Sequence, residues 1–353
     1  MVAIGLFLMF LGVKKEYEPL LLVPIGFGTI LANLPATGLL LEGGLLEFFK
    51  LGIEYEILPP LVFLGIGALT SFAPLLASPS MMLLGMAAQM GIFLTLMGAM
   101  AIGFDPMQSA AIGIIGGADG PTAIFAANRL APELLGPIAI AAYSYMAMVP
   151  LVQPPVIKAL TTRRQRGITM QQSVEVSKRV EILFPVVCVI ITILLIPSAA
   201  PLIGMLMLGN FLRVCGVTDR LSNVAQESII NTVTLFLGVA VGASMPAQLF
   251  WQWETLGILF LGIVAFVTAT ACGVGFGQIM YWLSGGRVNP VVGAAGVSAV
   301  PMAARVAHKV GQEANHNNYL LMVAMGANIS GVIGSALAAG VLVQLVPFLM
   351  NLG

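Results

Sequence analysis

Between residues 57 and 104 there is not one Asp, Glu, Lys or Arg, and the same is true of 182–212, 228–253, 255–286 and 314–353. Each run is long enough for the ~20 apolar residues that cross a bilayer as a helix. Within lipid, backbone N–H and C=O groups must be satisfied inside the segment or against a neighbour, which predicts helices rather than open strands. The composition agrees: 59% of residues are hydrophobic and 8% charged, where a soluble domain carries about 25% charged residues. The expected fold class is an all-α polytopic membrane protein. A formal net charge of zero gives no argument for nucleic acid. Cys188, Cys215 and Cys272 lie far apart among apolar neighbours and read as small core residues.

Apolar segments at 20–35, 60–78, 81–103, 107–128, 134–157, 182–196, 198–212, 228–246, 255–272, 274–283, 290–304 and 318–350 suggest about ten or eleven crossings. Residues 4–11 are apolar but short and precede Lys14 and Lys15, which fits a segment along or dipping into the membrane interface. No basic leader or small-residue cleavage site accompanies them, so a cleaved signal peptide is not expected. Residues 39–56 carry Glu42, Glu47, Lys50, Glu54 and Glu56 and read as a loop with a short amphipathic segment. The most polar connection, 158–181, gathers Lys158, Arg163, Arg164, Arg166, Lys178 and Arg179 against Glu175 and Glu181. The positive-inside rule puts it in the cytoplasm of a cell inner membrane, a merely solvated loop being the alternative. It divides the chain into a first membrane half, 1–157, and a second, 182–353.

The two halves share an order of features. Residues 25–36 and 237–247 are similar small-residue stretches, and each half later contains a glycine-rich polar break, a small-residue helix and an arginine, at 116–129 and 293–305. Small-residue packing alone produces such matches, but the preserved order favours duplicated, inverted halves with broken helices. Interrupted helices of this kind present backbone carbonyls and helix ends to ions.

Asp119 stands in the first break, Gly116-Gly117-Ala118-Asp119-Gly120-Pro121-Thr122. An ionisable side chain at such a depth is a candidate for an ion or substrate path. The alternative is an N-cap for the following helix, and the two roles are compatible. In the second break, Asn289 offers a carbonyl oxygen, Ser298 a hydroxyl (with helix packing as its equal alternative), and Gly293 and Gly296 exposed backbone. Arg305 follows Ser298 by about two helical turns and can share its face; it suits a carboxylate tether, repulsion of a departing cation, or a snorkel to the surface. Tyr143 and Tyr145, two residues apart, point to different helical faces, and either can meet Asp119 or the interface. Asn223, Glu227 and Asn231 recur every four residues and suggest a polar seam between helices or an ion path. His308 and His316 lack a nearby ligand set, and no phosphate-cradling Gly-Lys-Ser or Gly-Lys-Thr loop is present.

The sequence resembles the beta subunits of biotin-dependent, sodium-translocating decarboxylases, which act in oxaloacetate, methylmalonyl-CoA, glutaconyl-CoA and malonate decarboxylase pumps. The resemblance covers essentially the whole chain. It is carried by Tyr17-Glu18-Pro19-Leu20 with Pro24-Ile25-Gly26-Phe27-Gly28, by the Asp119 break, by Asn289-Pro290 through Gly296-Val297-Ser298-Ala299-Val300-Pro301, and by Gly326-Ala327-Asn328-Ile329-Ser330-Gly331-Val332-Ile333-Gly334-Ser335. Compared with longer members, this chain has little before its first membrane segment.

The resemblance implies a subunit that decarboxylates carboxybiotin on a carrier and couples this to Na⁺ export with proton uptake. Asp119 matches the family's sodium-site aspartate. Tyr145 and Ser298 match residues of ion or proton handling, and Asn289, Gly293 and Arg305 match functional positions of the second conserved region. Implied Na⁺ ligands are Asp119, Tyr145, Asn289, Gly293 and Ser298. Asn289 and Arg305 are the candidates for carboxybiotin, which is not attached to this chain. Implied partners are a carboxyltransferase alpha subunit, a biotin carrier subunit, a small membrane gamma subunit, membrane lipids and further beta subunits. The architecture implied is a core carrying the ion site against a scaffold, with rocking or elevator-like motion. The main alternative is a secondary Na⁺/H⁺ or organic-anion transporter; a purely structural anchor for a soluble decarboxylase is a third. Among acids, the short N-terminal form leans towards a CoA thioester over oxaloacetate.

Overall fold

The computed structural model describes residues 1–170, 175–250 and 252–351. Every regular element among them is helical, as a chain whose backbone must satisfy itself in lipid requires. The first half comprises α1 (Val2–Lys15), α2 (Pro19–Ala32), α3 (Leu45–Glu54), α4 (Leu58–Leu69), α5 (Ala73–Ala77), α6 (Met81–Ala88), α7 (Met90–Ile102), α8 (Pro106–Gly113), α9 (Gly120–Leu130), α10 (Leu135–Ala147) and α11 (Val149–Leu160). After the short α12 (Arg163–Arg166) come α13 (Lys178–Leu195), α14 (Ala200–Val214), α15 (Asp219–Asn223), α16 (Ile230–Ala243), α17 (Ala247–Phe250), α18 (Trp253–Leu283), α19 (Met302–Ala314) and α20 (Leu321–Met350).

Four stretches are long and apolar enough to cross a membrane alone: Met81–Ile102, Asp219–Ala243, α18 and α20. Two more qualify as bent pairs, Leu45–Glu54 with Leu58–Leu69 at 71° and Pro132–Ala147 with Val149–Leu160 at 66°. The ten or eleven crossings expected therefore include segments too short or too charged to qualify by length and composition. α2 has 14 residues, and α13 opens with Lys178, Arg179 and Glu181. Two expected segments, 255–272 and 274–283, are one continuous helix of 31 residues, α18. The basic loop at 158–181 lies partly outside the described residues.

Glycines set how the helices pack. α1 runs against α2, where a Cβ on Gly26 would stand 2.5 Å from the Gly5 carbonyl oxygen. The matched stretches of the two halves meet face to face, since a Cβ on Gly28 would collide with Val239 and one on Gly242 with Ile25. α4 and α14 approach as closely, through Gly67 and Gly209. Small residues let backbones come together where lipid supplies no hydrophobic drive between helices. Together α1, α2, α4, α13, α14 and α16 form one packing group.

The second group is built on α18, which at about 1.5 Å per residue is roughly 46 Å long. Near its start Gly257 faces Phe104, at the foot of the first break. Near its end Gly277 faces Pro290, at the foot of the second, where an added Cβ would be 2.6 Å from the Pro290 oxygen. The first break folds as a hairpin, its two feet joined by Gln108 Nε2 donating to Glu133 Oε1 at 3.1 Å. The feet of the second are joined through the 166–168 backbone, which accepts from Asn289, Asn315 and Asn318. The two hairpins thus enter from opposite ends of α18 and meet at their tips, where the Ser298 amide donates to the Gly117 carbonyl at 3.0 Å.

Candidate functional site

The first tip is shaped by a short 3-10 turn at Ile114–Gly117, after which Ala118 takes a left-handed conformation (φ 54°) and Asp119 an extended one. The chain reverses there, and α9 starts with Gly120 and Pro121. Pro121 is tolerated because the first helical turn has amides to spare. Asp119 caps that turn: its Oδ1 accepts the Thr122 amide at 3.3 Å. Its Oδ2 accepts the Ser335 hydroxyl of α20 at 2.6 Å. The side chain is buried, 4% exposed. Among the described residues no Lys, Arg or His forms an ion pair with it. A carboxylate so placed needs a bound cation or a proton to be tolerated.

Around it are buried oxygens that have no hydrogen-bond partner among the described residues: Gln89 Oε1, Tyr143 Oη, Ser298 Oγ and Asn328 Oδ1. Their positions are fixed by neighbours. Gln89 Nε2 donates to Gly296 O at 3.2 Å, and Asn328 Nδ2 donates to Ala295 O and Val297 O at 3.0 and 2.8 Å. Carbonyls of the second hairpin thereby occupy both amide nitrogens and leave both amide oxygens over. A Cβ on Gly117 would lie 3.1 Å from Gln89 Oε1 and 3.2 Å from Ser335 Cβ, so both side chains crowd the first tip. The Tyr143 ring lies against Gly120. Buried polar atoms are rarely left unpaired. A set of them beside an unbalanced carboxylate offers a small hard cation neutral oxygens and one charge.

The family model described as Na⁺-transporting oxaloacetate decarboxylase beta subunit matches residues 1–346. The chain belongs to this family. It is 54% identical to the methylmalonyl-CoA decarboxylase subunit beta of Veillonella parvula, with 98% of this chain and 92% of that protein covered. To the glutaconyl-CoA decarboxylase subunit beta of Acidaminococcus fermentans it is 52% identical over the same shares. To the probable oxaloacetate decarboxylase beta chain of Pasteurella multocida it is 48% identical, with 99% and 95% covered. The chain is thus a multi-pass membrane beta subunit of a sodium-transporting decarboxylase, which works with other subunits. The free-standing transporter reading is not favoured.

Within this family member, the other residues singled out from sequence are dispersed. Tyr145 is not beside Asp119: its ring packs on Gly262 of α18 and its hydroxyl donates to the Leu259 carbonyl. Asn289 caps the second hairpin, its Oδ1 accepting the Val291 amide at 3.0 Å while Nδ2 holds the Arg166 and Ile168 carbonyls. Gly293 presses its backbone on Gly273, matching Gly116 on Gly91 in the first hairpin. Arg305 is exposed and lines a cavity of about 520 Å³ between α4, α14 and α19. Asn223, Glu227 and Asn231 form no seam; they are exposed, on a helix whose register a π-turn at Val224–Ile229 displaces. Sequence reasoning did not assign Gln89, Asn328 or Ser335 to the site. Gln89 had a signal, as the sole amide or charged side chain in 57–104.

Proposed function

We propose that this subunit decarboxylates carboxybiotin presented by a biotin carrier subunit and couples the reaction to Na⁺ export through the Asp119 site. The observation that carries the reading is the buried, unbalanced Asp119 carboxylate among partnerless oxygens where two opposed hairpins touch. In low dielectric that carboxylate holds either Na⁺ or a proton, so entry of one drives out the other. Asp119 supplies the charge, and Ser298, Gln89, Tyr143 and Asn328 the neutral oxygens. Gly293 sets the close approach that brings the second tip to the first. Tyr145 and Asn289 are positioning residues, one pinning α10 to α18 and the other holding the second hairpin to the 166–168 segment.

Carboxybiotin loses CO₂ when the bond from its ureido nitrogen to the carboxyl carbon breaks; the electron pair stays on nitrogen, which takes a proton. Arg305 is suited to hold the departing carboxylate and lies on α19, whose far end is joined through Asn315 to the Gly167 carbonyl of the basic segment. By the positive-inside rule that end faces the cytoplasm of the inner membrane, where the carboxyltransferase, carrier and gamma subunits assemble with it. Opposed hairpins support a division of the membrane part into halves at 1–157 and 182–353.

The test is Asp119→Asn in the purified complex. It is expected to lose Na⁺-stimulated decarboxylation and ²²Na⁺ uptake into vesicles while inserting normally. Wild-type values in both assays would sink the assignment.

A further inference from the structure

The cavity that Arg305 lines has a second guanidinium on its opposite wall. Arg213, near the end of α14, faces it from the α4–α14 side, together with Thr70 and Ile66, while Met325 and Pro301 join Arg305 on the other. Among the described residues no acidic side chain lines the space. Arg213 is held in place by one nitrogen: Nη1 donates to the Ala68 and Leu69 carbonyls at 3.1 and 2.5 Å, capping α4. Among the described residues neither Nε nor Nη2 makes a hydrogen bond or ion pair, so the planar fork has donors left over. Glu18, in the turn between α1 and α2, is the acid that senses Arg305. Burial raises its pKa and the Arg305 charge draws it partly back. Among the described residues no acidic side chain forms an ion pair with Arg213.

We infer that Arg213 is a second anion-binding residue, which with Arg305 grips the carboxylate of the carrier's carboxybiotin head between the two packing groups. The inference rests on the carboxybiotin reading above. At about 520 Å³ the cavity falls in the size range of small-molecule sites. Its Ile, Met and Pro walls suit the apolar thioether ring of the fused bicyclic head, and its arginines suit the carboxylate on the ureido ring, which guanidinium forks bind in two-point fashion. Val300 and Pro301 line the same space, and Ser298 lies two residues before Val300. An occupant that touches both walls therefore bears on the hairpin whose tip meets Asp119. When CO₂ leaves, the bound head becomes neutral and both arginines lose their partner, which gives a physical reason for release after decarboxylation.

The test compares Arg213→Gln, Arg213→Lys and Arg305→Gln in the intact complex, with the carboxylated carrier subunit as the varied substrate. Arg213→Gln is expected to raise the KM for the carrier by about tenfold or more, the loss of a charge-assisted hydrogen bond. The Na⁺ concentration for half-maximal rate should stay unchanged. Arg213→Lys keeps a charged donor for the α4 carbonyls and should fold normally, with a smaller rise in KM. Carboxylated carrier should also slow thiol labelling of a Met325→Cys variant, and Arg213→Lys should weaken that protection. Lowered thermal stability with a wild-type KM in both Arg213 variants would overturn the inference and leave a helix cap. An unchanged KM in Arg305→Gln as well would remove the cavity as the carboxybiotin site and so overturn the parent reading; a rise there alone would overturn only Arg213's part.

Discussion

At Asp119 two tasks fall on one carboxylate, a cap for α9 through Oδ1 and a bond to Ser335 through Oδ2. Ser335→Ala removes the second and leaves a buried oxygen without a donor. A hydrogen bond to a charged group contributes about 1.5–3 kcal/mol, so the half-saturating Na⁺ concentration should rise by roughly tenfold or more. The rise should be steeper at acid pH, where protons compete for a carboxylate that has lost a partner. Titrating decarboxylation against Na⁺ at two pH values checks this; superimposable curves for variant and wild type would leave Ser335 a packing residue. Asp119 and Ser298 were legible in the sequence because a polar group inside a Gly- and Pro-rich break of an apolar chain is costly unless it binds or caps something. Ser335 was not, since its meaning comes from a partner 216 positions away. Tyr143 and Tyr145 could be assigned to different faces but not to a neighbour. The fold turns Tyr143 to the Asp119 hairpin and Tyr145 to α18.

At the scale of elements, each hairpin is seated by one glycine against a glycine of a longer helix, Gly116 on Gly91 and Gly293 on Gly273. In Gly116→Ala the new Cβ would stand 2.5 Å from the Gly91 carbonyl oxygen and 2.6 Å from its carbon. Backbone cannot step aside as a side chain does, so α7 and the first tip must part. Overpacking of this kind costs about 1–3 kcal/mol. The thermal midpoint in detergent should fall and Na⁺ dependence should weaken together. Gly204→Ala, which meets nothing within 4 Å, should leave both unchanged; equal effects from the two would refute the seating role. The order of breaks along the chain could be read from sequence, but the boundaries could not. Gly273 reads as an interruption between two segments, 255–272 and 274–283. It lies inside α18, where with Gly277 it makes room for the second hairpin. Gln89, by contrast, marks the junction of α6 and α7 within one apolar run.

At the scale of the molecule, the two ends of the interface between packing groups differ. At the foot of the first hairpin Arg129 grips Glu56 with two bonds, Nε to Oε1 at 2.5 Å and Nη2 to Oε2 at 2.6 Å, and Asn128 Nδ2 donates to the Glu54 carbonyl at 3.1 Å. At the other end lies the cavity of Arg213 and Arg305. One end is latched while the other is open, the arrangement expected of a carrier that exposes its ion site to one side at a time. If transport requires the latch to part, tying it shut must stop the pump. Glu56→Cys with Arg129→Cys, in a background with Cys188, Cys215 and Cys272 changed to Ala, places two thiols across it. A short cleavable bifunctional thiol reagent should abolish ²²Na⁺ uptake by the reconstituted complex, and cleaving the link should restore it. Each single-cysteine variant should keep its activity through the same treatment, because a half-exposed ion pair contributes little to stability. Full uptake by the doubly linked protein would mean that the two groups do not move apart at this end, and the Na⁺ path would then have to run within the second group alone.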